Sequence, residues 1–177
     1  MRRALFLLLG ISGAAGPVAG QFTPPGTGGV EALADALQQL GGEKRVLVIA
    51  AHPDDENTSL LTLVARGLGG RAAYLSLSRG EGGQNLIGPE LGPGLGVIRT
   101  EELLAARAID GAEQYFTRAI DYGYSFDPEE VIKKWGREDI VGDYVRLIRT
   151  LRPDVLLTMN IQGRGGDRAH EATTILV

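Results

Sequence analysis

The residues best suited to chemistry are two histidines and the carboxylates beside one of them. His52 opens the run His52-Pro53-Asp54-Asp55-Glu56, and His170 lies near the end of the chain. The chain has no cysteine, so a metal ion would have to be held by imidazole and carboxylate groups. Zinc at a hydrolytic site takes three such ligands and leaves a position for water. One aspartate can bind a metal beside His52 while the other acts as a general base on water, and His170 can supply the third ligand.

Each of these residues also has an ordinary structural explanation. Asp54 and Asp55 stand where a helix is expected to begin, and acidic groups at that position favour the helix dipole. Each histidine can equally be a surface residue of a loop. The metal hypothesis therefore depends on both histidines falling at the same edge of one predicted sheet.

Alternating strands and helices predict the frame that would position these groups. The β-branched and aliphatic run at 45–51 is typical of a strand buried on both faces, and a helix at 57–68 with a strand at 72–77 completes a βαβ unit. Further helices are predicted at 30–40, 100–111, from 127, at 137–151 and from 169, with strands at 114–118 and 154–159. The pattern predicts an α/β fold with a Rossmann-like, open, mostly parallel sheet and helices on both faces.

Ligands of such sheets bind at the carboxyl ends of the strands, where three segments of this chain fall: 52–56, 78–83 and 160–170. The second segment opens a long glycine-rich loop, 78–96, and holds Arg79 and Glu81. Arg79 can pair with a hydroxyl or acidic group of a substrate while Glu81 orients it. The alternative is a turn closed by an ion pair between these two side chains. The glycine spacing is not that of a dinucleotide-binding loop.

The net charge of the chain and its first twenty residues predict the kind of partner the protein has and where it is located. A net charge of −4 with no run of basic residues argues against a nucleic acid partner. Residues 1–20 have the layout of a secretory signal peptide, and residues 21–29 read as a flexible linker. The apolar run is too short to span a bilayer, so we predict cleavage and a secreted or periplasmic protein without a membrane span, against the alternative of an uncleaved anchor.

Two motifs together resemble a known family. The segment 51–56 after the first strand and Ser78-Arg79-Gly80-Glu81-Gly82 after the second are similar to motifs of the PIG-L/LmbE family of N-acetylglucosaminyl de-N-acetylases, as is the region of Arg99, Glu101 and Glu102. The resemblance implies Zn²⁺ held by His52, Asp55 and His170. It also implies that Asp54 is the general base and that Arg79 binds substrate.

The sequence departs from that family at two places. Family members usually carry two histidines three residues apart, whereas this chain has Asp167 in place of the first and His170 as the second. The missing histidine is associated with the oxyanion, so Asp167 would have to be protonated there, or Arg168 would have to supply positive charge. The chain also ends at Val177, within a helix, so residues 30–177 are expected to form the N-terminal part of a PIG-L-like deacetylase domain, incomplete at the C-terminus.

The leading functional hypothesis is a zinc-dependent hydrolase that removes an acetyl or other acyl group from an N-acetylglucosamine-type conjugate. A competing hypothesis is a non-catalytic glycan-binding or interaction module derived from such a domain. A hydrolase acting on another amide or ester would use the same residues. The sequence makes no prediction of the oligomeric state.

Overall fold

A computed structural model describes residues 28–42, 44–159 and 166–177 of the chain. The described elements, in chain order, are α1 (Gly29–Gly41), β1 (Arg45–Ala50), α2 (Thr58–Thr62), β2 (Arg71–Ser76), α3 (Pro93–Asp110), β3 (Glu113–Phe116), α4 (Pro128–Trp135), α5 (Arg137–Leu151), β4 (Val155–Leu157) and α6 (Arg168–Leu176). The alternation of strands and helices is the one that the sequence predicts.

The four strands form one sheet in the order β3, β2, β1, β4, and every neighbouring pair is parallel. β1 is central, with Val46 opposite Ala72 of β2 on one side and opposite Val155 of β4 on the other. This order is the first part of the Rossmann arrangement, in which a crevice opens between the first and fourth strands because the crossovers run in opposite directions from there. The predicted Rossmann-like parallel sheet is confirmed.

Helices cover both faces of the sheet because successive residues of a buried strand point to opposite sides. On one face, Leu47 and Ile49 of β1 pack in a cluster with residues of α4, α5 and α6. On the other face, Val48 and Ala50 pack in a cluster with residues of α2 and α3. β1 is apolar throughout its inner length because both of its faces are buried.

The helix expected at 57–68 is present, as α2 followed directly by a wider π-helical turn, Leu63–Gly67. The predicted start of another helix is wrong. The helix expected at 100–111 begins much earlier, at Pro93, inside the segment that glycine content had marked as loop. Proline suits the first turn of a helix because its missing N–H would have no partner there. Gly96 suits α3 because a Cβ at that position would meet the Glu81 side chain at 2.8 Å.

The expected signal peptide, 1–20, and all but the last two residues of the expected linker, 21–29, lie outside the described residues. Among the helices that the structure describes, none is both long and apolar enough to cross a membrane.

The packing of α5 on the sheet gives a stability prediction. Ile140 is fully buried in the cluster beneath α5, whereas Ile109 of α3 is 47% exposed. Ile140→Ala should lower the free energy of unfolding by about 2–5 kcal/mol, since it removes buried methyl groups and leaves a cavity. Ile109→Ala is the control and should lower it by less than about 1 kcal/mol. Urea unfolding of both variants measures the difference, and equal losses would contradict the assigned packing.

Candidate metal centre

The turn that carries the first motif is fixed by its own side chains. β1 ends at Ala50, and the backbone N–H of His52 donates a 2.8 Å hydrogen bond to Oδ2 of Asp55. The buried hydroxyl of Tyr74 donates to the carbonyl of His52 from the neighbouring strand. The backbone of His52 is therefore held at the end of β1 on both sides of its Cα.

His52, Asp55 and His170 meet at this edge of the sheet. Oδ2 of Asp55 lies 3.4 Å from Nδ1 of His52, and Oδ1 lies 3.4 Å from Nε2 of His170. One ligand atom of each residue falls within 4.8 Å of the others. Two imidazoles and a carboxylate are donors of the kind that zinc takes, and the three side chains lie close enough together to hold one ion.

Two further carboxylates face the other nitrogen of His52. Nε2 lies 3.8 Å from Oδ1 of Asp121 and 3.9 Å from Oδ2 of Asp167. Burial by itself lowers the pKa of His52, but the hydrogen bond with Asp55 and the negative charges of Asp55, Asp121 and Asp167 raise the pKa above its usual value. The negative potential that favours a protonated imidazole would equally favour a bound cation among these side chains.

Asp167 is built into the start of α6. Its Oδ1 accepts hydrogen bonds from the backbone N–H of Ala169 at 3.0 Å and of Ser125 at 3.2 Å. The first contact caps α6, and the second joins that helix to the segment before α4. Oδ2 is the oxygen that faces His52. Arg168 pairs with Glu171 at 2.8 Å, so its guanidinium is engaged along α6.

A cavity opens beside these residues, and its polar lining was only partly predicted. It is lined by His52, Gly82, Gly83, Gln84, Arg99, Asp121, Gly123, Tyr124 and Asp167. Asp121 was not among the predicted site residues. It follows β3 at the carboxyl edge of the sheet, so the rule that selected the other segments would have selected it too. The glycines of the 78–83 motif form one wall, as expected for a segment at that edge.

Asp54 lies outside the group formed by His52, Asp55 and His170. Its Oδ2 accepts a 2.8 Å hydrogen bond from Nη2 of Arg99, and its side chain is 47% exposed. Arg99 in turn lines the cavity. Asp54, the expected general base, is thus next to Asp55 in sequence, and its contact with Arg99 connects it to the wall of the cavity.

Arg79 and Glu81 point away from the cavity that His52 lines. Nη1 of Arg79 donates to Oγ1 of Thr100 at 2.9 Å, and its guanidinium lies over the ring of Phe116, 4.1 Å from the centroid. Glu81 accepts from the backbone N–H groups of Arg79 and Asp121, each at 3.1 Å. The two side chains line a neighbouring depression with Pro93, Gly96, Val97, Thr100 and Glu101. Glu81 does not line the cavity, but its hydrogen bond with the backbone of Asp121 helps to position a residue that does.

Glu56, the last residue of the motif, is buried in an ion-pair network with α3. Its Oε1 lies 3.3 Å from Nη2 of Arg107, which also pairs with Asp110 at 2.7 Å, and all three side chains are less than 10% exposed. The network ties the turn after β1 to a helix on one face of the sheet.

A parallel sheet with a His–Asp–His cluster at its carboxyl edge defines an α/β protein with a candidate metal centre at the switch point of the strands. Within that class, the sequence matches the PIG-L family, described as GlcNAc-PI de-N-acetylase, over residues 47–177. The match covers well over half of the chain, and the chain belongs to this family.

One curated relative is a 1D-myo-inositol 2-acetamido-2-deoxy-alpha-D-glucopyranoside deacetylase from Kineococcus radiotolerans. It is 30% identical to this chain, with 78% of the chain and 46% of the relative covered. The chain therefore spans about half the length of the curated relative that it matches.

Two solved structures share the fold. The 4-carboxy-2-hydroxymuconate hydratase GalB from Pseudomonas putida superposes with a TM-score of 0.59 and 22% identity over 75% of this chain and 53% of its own. The N,N'-diacetylchitobiose deacetylase from Pyrococcus horikoshii gives 0.57 and 19% identity over 84% and 57%. Their names describe different reactions, so the shared fold alone does not decide the reaction of this chain.

The buried network behind the motif gives a second prediction. Arg107→Met should lower the free energy of unfolding by about 3–5 kcal/mol, because Glu56 and Asp110 would lose the cation that compensates their buried charges. Arg149→Met replaces an exposed arginine of α5 and should change stability by less than about 0.5 kcal/mol. Urea unfolding compares the two, and a wild-type midpoint for Arg107→Met would show that the network contributes little.

Proposed function

We propose that this chain is a zinc-dependent deacetylase that removes an acetyl group from an N-acetylglucosamine-type conjugate. The observation that carries the proposal is the position of the Asp55 carboxylate between the imidazoles of His52 and His170, 3.4 Å from a nitrogen of each. Membership of the PIG-L family and the deacetylases among its relatives supply the substrate class.

His52, Asp55 and His170 would hold the ion. Bound there, zinc would polarise the amide carbonyl and lower the pKa of water to about 7. Nitrogen and carboxylate donors suit zinc, and the carboxylates of Asp121 and Asp167 beside the far nitrogen of His52 would orient that ring. Such outer carboxylates also strengthen an imidazole as a ligand.

Asp54 is the proposed general base. It would take a proton from the attacking water and return it to the leaving amine, so that one carboxylate serves both halves of the reaction. Its neighbour Asp55 is engaged with both histidines, whereas Asp54 is turned toward Arg99 and partly open to solvent. This difference supports the proposal that Asp55 is a metal ligand and Asp54 the base.

The walls of the cavity fit a polar substrate. Gln84, Asp121 and Tyr124 offer amide, carboxylate and hydroxyl groups that can bind the hydroxyls of a sugar. We also propose that Asp167 binds the substrate, since its side chain lines the cavity beside His52.

We also propose that the protein is exported. This proposal rests on the basic, apolar and small-residue parts of residues 1–20. Ligands of nitrogen and oxygen suit an oxidising compartment because they do not form disulfides.

Metal binding is the most direct test of the donor set. The wild-type protein should bind one equivalent of Zn²⁺, and His52→Ala or His170→Ala should weaken binding by more than about 100-fold, since even changes behind the ligands cost 10–100-fold. Glu138→Gln, at an exposed position of α5, is the matched surface control. Isothermal titration calorimetry of the metal-free protein provides the affinities. Wild-type affinity in both histidine variants would remove the proposed site.

Measurement of the acetate that the enzyme releases tests whether Asp54 is the general base. On an N-acetylglucosamine conjugate, Asp54→Asn should lower kcat by about 100-fold to 10,000-fold while zinc stays bound, because an amide cannot accept the proton. Asp121→Asn and Asp167→Asn are measured in parallel, since both carboxylates line the cavity beside His52. Full activity of Asp54→Asn with loss in either of the others would move the base to that residue. Glycan binding by a zinc-loaded wild-type protein that releases no acetate would favour the non-catalytic binding module.

A further inference from the structure

Arg99 is a buried cation that joins the two motifs of the site. Its Nη2 donates 2.8 Å hydrogen bonds to the carbonyl of Pro53 and to Oδ2 of Asp54. Its Nη1 donates to the carbonyl of Gly83 at 3.1 Å. One guanidinium from α3 therefore binds the turn after β1 and the glycine loop after β2 at the same time, which a planar fork of donors allows and a single ammonium does not.

Gly80 makes room for this side chain. Its φ is +73°, and a Cβ at that position would lie 2.8 Å from Cδ and 3.0 Å from Nε of Arg99. Both the backbone angle and the contact disfavour any residue with a side chain. Gly80 is therefore required, because the side chain of Arg99 passes directly beneath it.

Asp54 needs support of this kind because its backbone is strained. It has a φ of +91°, a region that residues other than glycine occupy only when their surroundings hold them there. Oε2 of Glu56 accepts from the N–H of Asp54 at 2.9 Å, and Arg99 binds both its side chain and the carbonyl that precedes it. Asp54 is therefore held at its backbone N–H, at the carbonyl that precedes it and at its side chain.

We propose that Arg99 is a positioning residue that holds Asp54 in its strained conformation and aims its carboxylate, and that Gly80 serves to admit Arg99. The catalytic part of this inference rests on the proposed role of Asp54 as the base. The conformational part stands on the contacts of Arg99 alone.

The conformational part is tested without activity, by amide hydrogen exchange. In Arg99→Lys, exchange at the N–H groups of His52 and Asp54 should rise by about tenfold or more, while exchange in β1 and β2 stays as in the wild type. Gly80→Ala should raise exchange at the same two amides. Gly94→Ala is the matched control, because a Cβ at Gly94 meets nothing within 4 Å, and it should leave them unchanged. Unchanged exchange in Arg99→Lys would overturn the proposal.

The catalytic part is tested by kinetics on the zinc-loaded protein. Arg99→Lys should lower kcat by a factor on the order of 100 with KM within about threefold, because a misplaced base affects the chemical step. Zinc affinity should be retained. Guanidinium ions added to Arg99→Ala should restore part of kcat, which a merely structural role would not predict. The effects of Gly80→Ala and Arg99→Lys should be less than additive in the double variant, since both act through one side chain.

The two proposals fail in different ways. A wild-type protein that binds zinc and releases no acetate would contradict the proposed function, while the exchange result would still decide whether Arg99 holds Asp54. An active wild type with an equally active Arg99→Lys would contradict the positioning role and leave the deacetylase in place.

Discussion

The carboxylate of Asp55 is the contact on which the rest of the site depends. One of its oxygens accepts from the backbone of His52 and lies beside the ring of His52, and the other faces His170. The two histidines follow different strands and are far apart in sequence. They meet because β4 adds to β1 on the side opposite β2, so the strand order that defines the fold also brings the candidate metal ligands together.

Side chains from β2 and α3 hold the individual residues of the motif after β1. Tyr74 fixes the carbonyl of His52, Arg99 fixes Asp54, and Arg107 fixes Glu56. Both arginines lie on the buried face of α3, two turns apart, with the buried Leu103 between them. One helix therefore supplies positive charge to a turn rich in carboxylates, while the carboxylates of Asp55, Asp121 and Asp167 leave a negative potential at His52.

Much of this arrangement could be predicted from the sequence. The run Val46-Leu47-Val48-Ile49 identifies the central strand, because few other environments bury four successive branched residues. From that strand, the parallel sheet and the positions of His52, Asp55 and His170 at its carboxyl edge follow by general rules. The structure brings those three residues together, as the metal hypothesis requires.

Other features could not be predicted because they depend on tertiary contacts. The buried face of α3 includes Arg99, Arg107 and Asp110, and hydrophobic periodicity does not detect charges that are buried in pairs. The direction of Arg79 is set by the ring of Phe116 and the hydroxyl of Thr100, which only the folded chain places beside it. Asp121 differs from these, because its place after β3 at the carboxyl edge of the sheet could have been inferred from the same rule that selected the other segments.

We propose that one zinc ion binds between the ends of β1 and β4. Anomalous diffraction at the zinc absorption edge, from crystals of the zinc-loaded protein, locates such an ion directly. We expect a single strong peak within about 2.0–2.2 Å of a nitrogen of His52, an oxygen of Asp55 and a nitrogen of His170. A peak held by other residues, or an ordered cluster of these three side chains without a peak at saturating zinc, would contradict it.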